Sequence, residues 1–359
     1  MIRLARRMAA LSTAVLALST VAAGPASALT VTNRTMPSLA TSIDCLTKSL
    51  CVSVGDTPQG IGAVVAIKHG VPGKLQKVKG TDNGILSVSC AGGKGCVAIA
   101  PTPTGKLMFI NIGKTGKVTS KKEVKVTILD SFDRISCATI HSCELAGVRI
   151  VNAVLNHVAV AHWNGKKLSD LRAIKVANAS DVTAAGLSCR NSYCVAVGQM
   201  DLRSGASPFG AYLLPIKRGK PGKLVRTKAS TSLQAVACVT ASLCYADGDH
   251  AEPAGVVLTF AHNKITKTAT VAASLDGIAC AGHSCTAVGS QLPTDSETSR
   301  SAFVGDLVPV SSGTPAMPYV DLASGGYGSV ARVGRFFEAV GSTAKSEHAT
   351  YGESEVTSN

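Results

Sequence analysis

One short motif recurs six times along the chain: two cysteines five or six positions apart, followed by a small apolar run. The copies are SIDCLTKSLCVSVG from Ser42, SVSCAGGKGCVAIA from Ser87, RISCATIHSCELAG from Arg134, GLSCRNSYCVAVG from Gly186, AVACVTASLCYADG from Ala235 and GIACAGHSCTAVG from Gly277. Their first cysteines fall at 45, 90, 137, 189, 238 and 280. A period of this size signals a repeat architecture in which each copy is one supersecondary unit that buries its apolar face only against its neighbours.

The twelve cysteines are an even set, two per unit. Pairing within units is the only scheme that treats all copies alike: Cys45 with Cys51, Cys90 with Cys96, Cys137 with Cys143, Cys189 with Cys194, Cys238 with Cys244 and Cys280 with Cys285. Zinc sites need four ligands at short fixed spacings, and no His or Cys recurs at a fixed offset from these pairs, so disulfides are expected and metal is not. A disulfide framework requires an oxidising compartment. The N-terminus agrees with export: Arg3, Arg6 and Arg7 precede an apolar run from Met8, and Ala26-Ser27-Ala28 has the small-x-small form of a cleavage site. Residues 1–28 are read as a secretory signal peptide and 29–359 as a single domain. No later apolar run reaches about 20 residues, so no transmembrane segment is expected, and the mature protein is expected to be extracellular and monomeric.

Within one unit, ILSVSC, CVAIA, KLMFINI and VTSKKEVKVTI are β-rich runs separated by AGGKG, a loop after Pro101, and GKTGK. Four antiparallel strands in about 40–50 residues make a β-propeller blade. The cysteine pair then straddles the turn between strands one and two, where cross-strand Cα atoms lie about 4.5 or 5.5 Å apart. A seventh unit is legible without cysteines in SVARVGRFFEAVGS (Ser329–Ser342), with Ala331 and Phe337 in the cysteine positions. The expectation is an all-β, seven-bladed propeller whose N-terminal segment Leu29–Thr35 supplies the outer strand of the last blade. A six-bladed ring with a loose C-terminal extension is the alternative.

The S-C-x4-5-C-x-A-V-G repeat resembles that of secreted actinobacterial β-propellers related to the sialidase-type (BNR) and YVTN-like repeat families, over nearly the whole mature chain. The resemblance implies the blade and little chemistry. The sialidase Asp-box is missing, Trp163 is the only tryptophan, and no Ser-His-Asp grouping or phosphate loop is present.

Two sets of residues remain as candidates. Lys74, Lys114, Lys117, Lys166, Lys167, Lys220 and Lys223 fall in or beside the turns between strands three and four, which share a face with the disulfide turns. DGDHAEP holds Asp247, Asp249, His250 and Glu252, a candidate ligand or cation loop on the opposite face. The net charge of +14 favours anionic partners, whereas aromatics at 4% are too few to stack on bases, so nucleic acid is not expected. The sequence therefore predicts a non-catalytic binding scaffold, with anionic cell-wall polymer or a protein as partner and no cofactor. A hydrolase or lyase using Asp133, Asp249 and His250 at an acidic channel mouth is the alternative.

Overall fold

The computed structural model describes residues 30–357 except 82, 127–129, 153–154, 204–207, 251–253, 292–303, 317–318, 334–335 and 344–350. The expected leader, residues 1–28, lies outside the described residues, as does Glu252. Among the described residues the chain is all β, with no helix, and so none long and apolar enough to cross a membrane.

The strands form six antiparallel sheets. Sheet 1 is built on Leu39–Thr47, Leu50–Asp56 and Gly62–Lys68. Sheet 2 contains Ser87–Cys90, Cys96–Pro101, Leu107–Ile112 and Val118–Val124, the four runs read from the sequence. Sheet 3 runs Asp130–Thr139, Ser142–Asn152, Leu155–Trp163 and Leu168–Ile174. Sheet 4 centres on Gly186–Arg190, Tyr193–Leu202 and Phe209–Lys217. Sheet 5 comprises Ser232–Cys238, Leu243–Asp249, Gly255–Ala261 and Lys264–Val271. Sheet 6 begins with Ser274–Ala281, Ser284–Gln291 and Val304–Ser311.

The blade count is six, the alternative expectation rather than the main one. Residues of the supposed seventh unit do not start a sheet of their own. Tyr319–Val333 is one 15-residue strand. Its first part pairs with Val304–Ser311 and its second with Phe336–Thr343, so sheet 6 continues without interruption to eight strands. The extension is not loose either. Tyr351–Thr357 pairs with Phe336–Thr343 on one side and with the first strand, Thr30–Met36, on the other. Register also corrects the alignment of this unit: Phe337 faces Arg332, not Ala331, so Arg332 stands where the other units have their first cysteine.

All six cysteine pairs are disulfides of the expected pairing. Each joins residues directly opposite in register, as in Cys137 and Cys143. Their Cα atoms are 3.8–4.0 Å apart, closer than a generic strand pair. The first-cysteine N–H groups at 90, 137, 189 and 238 are bonded to a neighbouring sheet rather than across the pair. That marks the narrow, non-hydrogen-bonded kind of pair, which the short bridge draws in further.

The core lies between sheets, not within one. Val52, Val54 and Val64 of sheet 1 pack on Val88, Ala98 and Ile110 of sheet 2. Comparable clusters join sheet 2 to 3, 3 to 4, 4 to 5 and 5 to 6. Val288 packs with Val330, Phe337 and Ala339, and Ala331 and Val340 pack with Ile43, Cys51 and Val65 of sheet 1. Apolar burial thereby closes the ring.

Candidate functional site

Inner strands of every sheet line a central channel of about 730 Å³. Seven strand segments contribute, because sheet 6 supplies two, Ser274–Ala281 and the second half of Tyr319–Val333. A shared irregularity shapes this wall. Register slips between Ala40 and Ser42, Phe132 and Arg134, Leu233 and Ala235, Leu275 and Gly277, and Tyr327 and Ser329. The skipped residue lies four positions before the first cysteine, or before Arg332: Thr41, Asp133, Gln234, Asp276 and Gly328. A bulge of this kind re-aims a side chain, and Thr41, Gln234, Asp276 and Gly328 all border the channel.

The glycine of the A-V-G motif is the partner of this bulge. A Cβ at Gly55, Gly147, Gly248 or Gly289 would stand 1.7–2.1 Å from the carbonyl oxygen of Leu39, Ser131, Ser232 or Ser274 on the inner strand. Sheet 2 has Ala100 at this position, and its inner pair runs without a bulge.

The inner strands are tied to one another by side chains. Serine immediately before a first cysteine accepts a hydrogen bond from the next sheet's first-cysteine N–H: Ser89 from Cys137, Ser136 from Cys189 and Ser188 from Cys238, each at 2.9 Å. Asp44 replaces serine in sheet 1. Its Oδ2 accepts from Cys90 N–H and its Oδ1 from Cys45 N–H, both at 2.7 Å. Burial nevertheless dominates and pushes its carboxyl up to about 6. Ser42, Ser87 and Ser329 make a second set of such bonds to Val88, Ile135 and Ile43. The serine before each cysteine was visible in the repeat, but its role depends on how close consecutive sheets stand.

The two predicted sets separate. Asp247 and Asp249 are not in a loop: both belong to the strand Leu243–Asp249, which extends further than expected. Asp247 is fully buried, with Oδ1 accepting from Ala235 N–H at 3.0 Å and Oδ2 without a partner. Burial first, then the charge of Asp276, holds its carboxyl well above the usual range. Asp276 sits at its bulge on the neighbouring sheet, pushed up to about 6 by burial and by Asp249. Asp249 accepts from Ser232 Oγ at 3.1 Å and Ser274 Oγ at 2.5 Å. His250 follows the strand, its N–H donating to Ala254 O. The alternative catalytic set is not gathered. Asp133 accepts from Ser131 and neighbours Arg134, whose guanidinium reaches the carbonyls of Ala185 and Asp133. Among the described residues only Cys45, Cys51 and Glu338 bring three ligand atoms of His, Cys, Asp or Glu within 4.8 Å of one another, and two of those are disulfide sulfurs.

Lys74, Lys114, Lys117, Lys166, Lys167, Lys220 and Lys223 are all exposed. They occupy sheets 1 to 4 in succession, at the end of each sheet that carries the disulfide hairpin. In sheet 3 the two turns touch, since a Cβ at Gly165 would lie 2.6 Å from His141 Nδ1. Trp163 is buried and stacks on Phe109 at 3.8 Å, with Lys122 Nζ 5.8 Å from its ring centroid. It is a packing residue between sheets 2 and 3.

No family model and no curated protein matches the chain. Solved structures do. That of U3-55K aligns with a TM-score of 0.62 at 10% identity, covering 90% of this chain and 98% of its own. The RRP9 WD40 repeats align at 0.59 and 10%, covering 91% and 97%. YCF48 bound to D1 peptide aligns at 0.56 and 11%, covering 92% and 96%. The propeller part of the expected resemblance therefore stands, while its sialidase-like and secreted parts rest on the sequence alone. What this chain shares with these structures is the β-propeller fold.

Proposed function

We propose that the protein is an exported, non-catalytic propeller that binds anionic polymers of the cell envelope through its lysine-bearing turns. The observation that carries this reading is the placement of seven exposed lysines along one end of four successive sheets. A positive surface of this kind raises the local concentration of a polyanion and speeds its association in a salt-dependent way. Six disulfides support an oxidising compartment, and one rigid end presenting several turns suits a binding surface.

The test is co-sedimentation of the oxidised protein with purified cell envelope across a salt series. Binding is expected at low salt and lost as salt rises, and the combined Lys114→Glu, Lys117→Glu, Lys166→Glu, Lys167→Glu variant should bind at least tenfold more weakly. An absence of binding at low salt, or a variant that binds as well as the parent, sinks the proposal.

A further inference from the structure

A repeat makes departures from itself visible, and the largest concerns a position three residues after the second cysteine or its equivalent. Val54, Ile99, Ala146, Val197, Val288 and Val340 hold this place in the other units, all apolar and buried. The fifth unit has Asp247 there, equally buried, with an Oδ2 that no donor reaches. A carboxyl in a core valine's place disfavours folding unless its surroundings or a ligand compensate.

Two more carboxylates adjoin it. Asp276 is the bulge residue of the next sheet and opens on the channel. Asp249 ends the strand that carries Asp247. The charges that bear on Asp247 are those of Asp276 and Asp249. Gln234, the bulge residue of sheet 5, lies on the same wall and joins the network through Ser232 at 3.1 Å. The ion pairs among the described residues are Lys106–Glu123, Arg149–Asp130 and His162–Glu144, so none of the three aspartates is paired with a cation there.

We propose that this seam between sheets 5 and 6 receives an organic cation, the guanidinium or ammonium group of an arginine or lysine side chain on a partner polypeptide, inserted from the channel past Asp276 towards Asp249. Asp247 stands behind them as a buried carboxyl with an unpartnered oxygen, neutral until an incoming cation stabilises its ionised form. The three carboxylates are spaced too widely for one metal coordination sphere, since they form no group within 4.8 Å. A guanidinium spreads five N–H donors over a planar fork and can reach acceptors on either side. The cavity of about 730 Å³ has room for such a side chain. This site is at the opposite end of the channel wall from the lysine turns and is independent of the envelope-binding reading.

The experiment is calorimetric titration of the oxidised full chain, at neutral pH and low salt, with an acetylated and amidated Gly-Arg-Gly-Lys-Gly peptide. Its alanine counterpart, spermidine and calcium chloride serve as comparisons. Asp276→Asn and Asp247→Val are titrated alongside, the second because valine is what the fourth and sixth units carry there, and thermal melting verifies that both variants fold. Saturable binding of the basic peptide, absent with the alanine peptide and at least tenfold weaker in both variants, is the expected result. No saturable binding, unchanged affinity in the folded variants, tighter binding of spermidine than of the peptide, or its displacement by stoichiometric calcium each overturns the proposal.

Discussion

At the residue scale, the most consequential side chains are those that break the repeat at the channel wall. Asp44 replaces a serine and keeps that serine's bond to the next sheet, but it brings a charge into a poorly solvated place. Its folded-state value of about 6 lies above the ordinary 3.8, so the folded protein holds this proton where the unfolded chain has lost it. The associated stability is therefore complete below about pH 4 and declines as pH rises through about 6. Asp276, also pushed up to about 6, acts in the same direction. Denaturation midpoints of the oxidised protein should fall between pH 4 and 7. Asp44→Asn, which keeps an acceptor for Cys90 N–H, should flatten part of that slope and leave the variant up to about 3 kcal/mol more stable at pH 7. Parallel pH profiles of parent and variant would refute this assignment.

At the element scale, the inner bulge and the glycine facing it act as one device. The bulge turns a chosen side chain into the channel, and the chain opposite must lack a Cβ to let the displaced carbonyl through. Gly147→Ala should cost about 3 kcal/mol, near the upper end for single substitutions, because the new Cβ would meet Ser131 O at 1.9 Å. Ala100→Gly in the unbulged sheet 2 should cost only about 1 kcal/mol, the ordinary penalty for glycine in a strand. Urea denaturation of the two variants checks the contrast, and equal losses would show that the bulge does not impose the glycine.

At the scale of the whole molecule, closure is what makes the repeat stable. Each apolar cluster is shared between consecutive sheets, and the last reaches back to Ile43, Cys51 and Val65. The N-terminal strand Thr30–Met36 completes the hydrogen bonding of Tyr351–Thr357 across seven residue pairs. Removing it exposes a strand edge, the kind of surface that recruits other chains. A chain lacking residues 30–36 should melt several degrees lower and show concentration-dependent association by light scattering. A truncated chain that stays monodisperse and melts like the parent would mean that the pairing is dispensable.

The sequence by itself determined the period, the four-strand unit, the disulfide pairing and the lysine turns, because each is written locally, in residues a few positions apart, six times over for the cysteine pairs and four times for the lysines. It also contained the serines before the cysteines and the glycines of A-V-G without disclosing what they do. Their meaning lies in contacts between residues some 48 to 53 positions apart, or between facing strands. Sheet count was likewise beyond it, since Ser324-Gly325-Gly326 reads as a turn, yet the strand Tyr319–Val333 runs straight through it and changes partner there. The acidic seam shows the same division. Asp247 and Asp249 were legible as a cluster, but as part of a loop with His250 and Glu252. Only the tertiary structure joined them to Asp276, 27 positions beyond Asp249, because the ring sets the inner bulge of sheet 6 beside the second strand of sheet 5.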